Sequence, residues 1–196
     1  MPNTNLDITP GVRALIFDCD GTLADTMPLH WAAWHAAFAA AGVTCPQSFL
    51  EEMAGTPAPD IIAHFNRRYG YELDVTAVAA DKEQRTHEGL KTVQPLQPVA
   101  ALVHRYYGHL PLAVASGGPR DGVETTLRAI GLFPYFDVIL TADDPIPPKP
   151  APDIFLTAAA QLGIAPDACE VFEDGNLGLI GAQKAGMIAT DVRPYL

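Results

Sequence analysis

Short apolar runs that end in acidic or glycine residues punctuate this chain, and helical patterns separate most of them. Residues 13–17 (RALIF), 111–115 (PLAVA), 136–140 (FDVIL), 169–172 (CEVF) and 187–191 (MIATD) have the length and composition of buried strands whose C-terminal ends open into loops. Residues 96–107, 121–130, 152–162 and 177–185 carry apolar positions at helical spacing, several with Pro or Asp near the start. Strand and helix in alternation predict parallel βαβ units, which bind ligands beyond the C-terminal ends of their strands.

The pattern changes between the first strand and residue 93. Residues 28–41, 60–69 and 75–90 read as helices with no convincing strand between them. This predicts an α/β fold, a Rossmann-like parallel sheet flanked by helices formed by residues 1–25 and 94–196. A small α-helical cap, residues 26–93, follows the first strand, with hinges near Asp25 and Gln94.

Composition narrows the function. The 196 residues are 48% hydrophobic and 18% charged, near the globular average. A formal net charge of −11 disfavours binding to nucleic acid or to an anionic membrane. An anionic ligand therefore needs a metal ion and a few local cations. Three widely separated cysteines give neither a disulfide framework nor a zinc spacing. With no apolar leader at the N-terminus and no membrane-length apolar run, the expectation is a cytoplasmic protein, with a monomer as the default.

The chemistry concentrates at strand ends. Phe17-Asp18-Cys19-Asp20-Gly21-Thr22-Leu23 sets two carboxylates one residue apart, on the same side of an extended segment, before a glycine turn, and Asp25 adds a further acid. Taken alone, this is equally an Asp-rich turn. A calcium loop is excluded, because the twelfth position counted from Asp18 is Leu29. Ser116-Gly117-Gly118 follows the second strand and offers a hydroxyl and backbone N–H groups to a phosphate, or makes an ordinary strand-to-helix turn. Lys149 is held between Pro148 and Pro150 in a chain with only 12 basic residues, where an isolated lysine is usually a surface charge. Glu173-Asp174-Gly175 puts adjacent carboxylates at another strand end; they need a cation between them, unless Asp174 merely caps the next helix.

These four segments, in this order, closely resemble the haloacid dehalogenase-like hydrolase superfamily over nearly the whole chain. Asp25 to His30, Met53-Ala54-Gly55, Val93 to Leu96, Lys149 to Asp153 and Asp191-Val192-Arg193 resemble its β-phosphoglucomutase-like branch, especially bacterial fructose-1-phosphate phosphatases. The resemblance implies Asp18 as nucleophile and Asp20 as general acid and base. It implies phosphate or substrate contacts from Ser116, Gly117, Lys149 and His30. Mg²⁺ would be held by Asp18, the Asp20 carbonyl and Asp174, with Glu173 in support.

A small phosphorylated metabolite is then the expected partner, hydrolysed through an aspartyl phosphate, and the Asp20 proton is expected to be favoured by neighbouring carboxylates. A β-phosphoglucomutase-type mutase is the alternative. Against it, Ala58 stands where the mutases carry a cap arginine, although Arg67, Arg68, Lys82, Arg85 or Lys91 could substitute. A catalytically silent binding module is a third reading, opposed by the intact catalytic positions.

Overall fold

The protein is described here by a computed structural model covering residues 6–196. The first residues of the stretch read for a leader lie outside the described residues. Five strands, β1 (Ala14–Phe17), β2 (Leu112–Ala115), β3 (Val138–Leu140), β4 (Cys169–Glu173) and β5 (Ile188–Asp191), form one sheet in the order β3-β2-β1-β4-β5. Every pairing is parallel. The expected α/β fold class is thereby borne out.

β1 is central because it must be apolar on both faces, and all four of its residues are fully buried. Leu15 and Phe17 face a core built with α5 (Gln97–Tyr106) and α6 (Arg120–Ala129). Ala14 and Ile16 face the other core, built with α7 (Asp153–Leu162) and α8 (Asn176–Lys184). Small side chains such as Ala113, Ala115, Ala158 and Ala182 fill that second face, so α7 and α8 lie close to the sheet.

Register then aligns the chemistry. Phe17 pairs with Val114 on one side and Phe172 on the other, and its ring stacks on Phe172 at 5.1 Å. Asp18 therefore leaves the sheet level with Glu173, one step from Asp174 and Ser116. The chain turns from one side of β1 to the other between β3 and β4, so this edge is also the topological switch point.

Between β1 and α5 lie α1 (Met27–Ala40), α2 (Gln47–Glu52), α3 (Ala58–Tyr69) and α4 (Val75–Leu90). They share a core of their own around Trp34, Phe38, Phe49 and Phe65. No strand lies among them in the described residues, as expected. The short α2 was not foreseen, because six residues are too few to display a helical period. The two connections run side by side: Asp25 N–H donates to the Gln94 carbonyl at 2.9 Å and Leu96 N–H to that of Leu23 at 2.9 Å. Elsewhere Glu170, buried in β4, accepts hydrogen bonds from the Thr9 backbone and hydroxyl and from the Thr190 hydroxyl, tying the N-terminal arm to β5.

Candidate active site

At the end of β1 the carboxylate of Asp18 is 5% exposed and meets the Lys149 ammonium at 2.7 Å. Lys149 reaches in from the loop before α7, is 3% exposed, and also donates to Glu173 at 2.6 Å. One ammonium thus bridges two buried carboxylates. The surface-charge reading of Lys149 is excluded.

Glu173 is the last residue of β4 rather than the start of a loop, which explains its burial. Its other oxygen accepts from the Gly175 N–H at 3.0 Å. Asp174 turns toward Asp18 and takes a hydrogen bond from the Thr22 hydroxyl at 2.9 Å. It does not cap the next helix, whose N-cap is Gly175 with no side-chain cap. Ligand atoms of Asp18, Glu173 and Asp174 lie within 4.8 Å of one another, a hard-oxygen group that fits a divalent cation.

Electrostatics agree. Burial raises the pKa of Asp18, and the Lys149 charge only partly offsets it. Burial and the Asp18 charge push Glu173 up to about 8 and Asp174 up to about 7. Burial works against the charge on Lys149, but the Asp18 and Glu173 carboxylates outweigh it and hold the ammonium protonated. Three acids share one lysine, so the group is short of positive charge.

Asp20 belongs to a different environment. Its Oδ1 accepts from the Thr26 hydroxyl at 2.8 Å and lies 3.1 Å from His30 Nε2. Burial acts to raise its pKa, but His30, the Thr26 hydroxyl and the Lys82 charge hold it down to about 2. This corrects the expectation that neighbouring carboxylates favour the protonated form. The Asp20 side chain turns from the acid group toward Thr26 and His30 of the helical insert, where it also feels the Lys82 charge.

Ser116 is buried at the end of β2, its Oγ accepting from the Gly118 N–H at 3.0 Å. Gly117 packs under the helical insert, where an added Cβ would strike the Gly55 carbonyl. Gly21, at φ +81°, lets the chain turn back so closely that a Cβ there would strike the Asp174 carboxylate. Asp25 stays exposed at the crossover, outside the acid group.

A cavity of about 370 Å³ opens between the sheet edge and the insert, lined by Asp18, Asp20, His30, Ser116, Glu173 and Asp174 on the sheet side. Its far side carries Trp31, Trp34, Lys82 and Glu83. Thr22 and Thr26 had signals in the sequence, as a hydroxyl inside the first motif and a residue of the Asp25–His30 match. Glu83 had none, since nothing local distinguishes it from other helix-surface acids.

A buried carboxylate at a strand tip, a bridging lysine and an acid cluster fit for a cation come together at an α/β switch point, the arrangement of a hydrolase site. Residues 15–192 match the haloacid dehalogenase-like hydrolase family, and the chain belongs to it. It is 37% identical over 180 residues to the fructose-1-phosphate phosphatase YqaB of Escherichia coli, covering 91% of this chain and 95% of that one. It is 31% identical to a validoxylamine A 7'-phosphate phosphatase of Streptomyces hygroscopicus, covering 89% and 83%. Among solved structures, CbbY from Rhodobacter sphaeroides in complex with xylulose-(1,5)bisphosphate superposes with a TM-score of 0.80 at 28% identity, over 91% of this chain and 84% of that one. The enzyme class expected from the sequence, a phosphatase within this family, is borne out. No helix among the described residues is long and apolar enough to cross a membrane.

Proposed function

We propose that the chain hydrolyses the phosphate monoester of a small sugar, of the fructose 1-phosphate kind, beneath a cap formed by residues 26–93. The observation that carries this reading is the Lys149 bridge between Asp18 and Glu173, at 2.7 and 2.6 Å, with both carboxylates lining the cavity. A bridge of this kind orients one nucleophilic carboxylate and supplies a buried cation to a phosphate. The sugar-phosphate relatives support the substrate class.

Asp18 attacks phosphorus to give an aspartyl phosphate, and the departing sugar oxygen takes a proton from Asp20. Water then attacks the phosphoryl group and passes its proton back to Asp20. In the substrate-free protein Asp20 is in its base form, with a pKa of about 2, as the second step requires. The negative charge of a bound ester is what raises it for the first step. Ser116 and the N–H groups around Gly117 hold phosphate oxygens, with Lys149 beneath them, and His30 orients Asp20.

The donor set suits Mg²⁺, held by Asp18, Asp174 and the Asp20 carbonyl with Glu173 in support. Such an ion supplies neutralisation of phosphate charge. Phosphate release from a panel of sugar monophosphates, with and without Mg²⁺, tests the reading against the Asp18→Asn variant. Activity that requires Mg²⁺ and vanishes in the variant is the expected result; turnover surviving the substitution overturns the mechanism. Glucose 6-phosphate formed from β-glucose 1-phosphate faster than phosphate is released would instead favour a mutase.

A further inference from the structure

The far half of the cavity carries an ion pair of which the lysine acts on Asp20, while its carboxylate partner has no part in the reaction. Lys82 on α4 is 4% exposed, with its ammonium 3.0 Å from the Glu83 carboxylate and 5.5 Å from the centre of the Trp34 ring. Side chains one position apart on a helix normally diverge. Here Lys82 folds back onto its neighbour, and among the described residues Glu83 is the carboxylate it pairs with.

Other basic residues of the helical insert do not compensate. Arg68 pairs with Glu52 and Arg85 with Asp81, and neither lines the cavity. His30 is taken up by Asp20. The position open to a cation in a mutase-like cap is Ala58, which contributes only a methyl group to the lining. Opposite the acid cluster the wall therefore offers Trp31 and a lysine that is already paired with a carboxylate.

We propose that this wall selects monophosphate esters of neutral polyhydroxy alcohols and turns away bisphosphates, with Glu83 as the specificity-determining residue through its neutralisation of Lys82. The inference rests on the phosphatase reading above and names its substrate class more narrowly. Trp31 and the apolar lining around it take the C–H side of a polyol, and the Lys82–Glu83 pair supplies one donor and one acceptor to its hydroxyls. A second phosphate in the same place would find the ammonium already paired and would face a carboxylate of its own sign.

The test compares kcat/KM for fructose 1-phosphate and fructose 1,6-bisphosphate in the wild type, in Glu83→Gln and in Glu83→Gln combined with Lys82→Met. Expected are a preference for the monophosphate of about tenfold or more in the wild type and a narrowing of about fivefold or more in Glu83→Gln, as Coulomb forces between partly screened charges allow. Restoration of the preference in the double variant is expected too, because the freed ammonium is then gone. Equal use of both esters by the wild type, an unchanged ratio in Glu83→Gln, or a narrowing that persists without Lys82 would overturn the proposal. Failure of every form to hydrolyse even p-nitrophenyl phosphate with Mg²⁺ would refute the phosphatase reading itself.

Discussion

Replacing Lys149 by Met is the perturbation that most directly probes the site, because the lysine is 3% exposed and contacts both Asp18 and Glu173. At an effective dielectric near 20, an ion contact below 3 Å has a gross attraction of about 6 kcal/mol. Desolvation of the buried ammonium cancels much of this. Breaking a buried pair by removing one partner costs about 3–5 kcal/mol, because the remaining charge is stranded. For a chain of this size that loss lowers Tm by roughly 10 °C.

The loss must also depend on pH, and its sign is fixed. Glu173 at about 8 and Asp174 at about 7 lie above their unfolded values of 4.5 and 3.8, so between those limits the folded protein binds more protons than the unfolded chain. The stability contributed by these two acids in metal-free protein is therefore full below the unfolded values and is lost as pH rises toward 8. Removing Lys149 takes away an influence that lowers Asp18 and Glu173, which steepens this fall. Thermal unfolding in chelator at pH 5 and pH 8 should show a deficit for Lys149→Met that is large at pH 8 and shrinks at pH 5. Adding Glu173→Gln should recover part of the deficit at pH 8. A Tm within a few degrees of wild type at both pH values, or a deficit that grows toward acid, would refute the reasoning.

His30→Gln should move the acid limb of the pH–rate profile upward, since Asp20 loses the first of the groups that hold it at about 2 and returns toward an ordinary carboxylate value of about 4. An unshifted limb would show that His30 does not control Asp20. Gly117→Val drives a Cβ against the Gly55 backbone carbonyl and should both reduce kcat/KM by about tenfold or more, through misplacement of the insert, and lower Tm. Glu170→Ala removes the acceptor for Thr9 and Thr190 and should cost about 2–3 kcal/mol in denaturant unfolding with activity per folded molecule retained. Mg²⁺ alone should raise Tm, orthophosphate alone should not, and the two together should raise it furthest; protection by phosphate in chelator would show that Lys149 suffices for binding.

The sheet was legible because parallel strands buried on both faces leave unbroken apolar runs, and Ala14–Phe17 is fully buried on both sides. Their tips were legible for the same reason: an acid or serine directly after such a run has to lie at the edge where ligands bind, whereas Lys149 comes from a loop nine residues past β3. What stayed hidden depends on side-chain direction. Asp18 and Asp20 read as one acidic pair, yet one faces Lys149 and the other faces Thr26 and His30, and their pKa values move in opposite directions as a result. Spacing along an extended strand does not carry that information once Gly21 turns the chain. Glu83 was hidden because its significance comes from Lys82 being buried, a property of how α4 packs on Trp34.

The same split explains how an enzyme with a net charge of −11 can act on an anion. Its acids are not spread evenly against the substrate: Asp18, Glu173 and Asp174 concentrate in one group that only a cation can satisfy, and Asp20 is held apart by its own positive neighbours. A divalent ion held there would convert the most repulsive part of the cavity into the part that attracts phosphate. On the far wall Lys82 is already paired with Glu83, which under the proposal above weakens its competition for phosphate. Under the proposed function this contrast would orient the ester, with its phosphate at the acid cluster and its hydroxyls toward the wall of the insert.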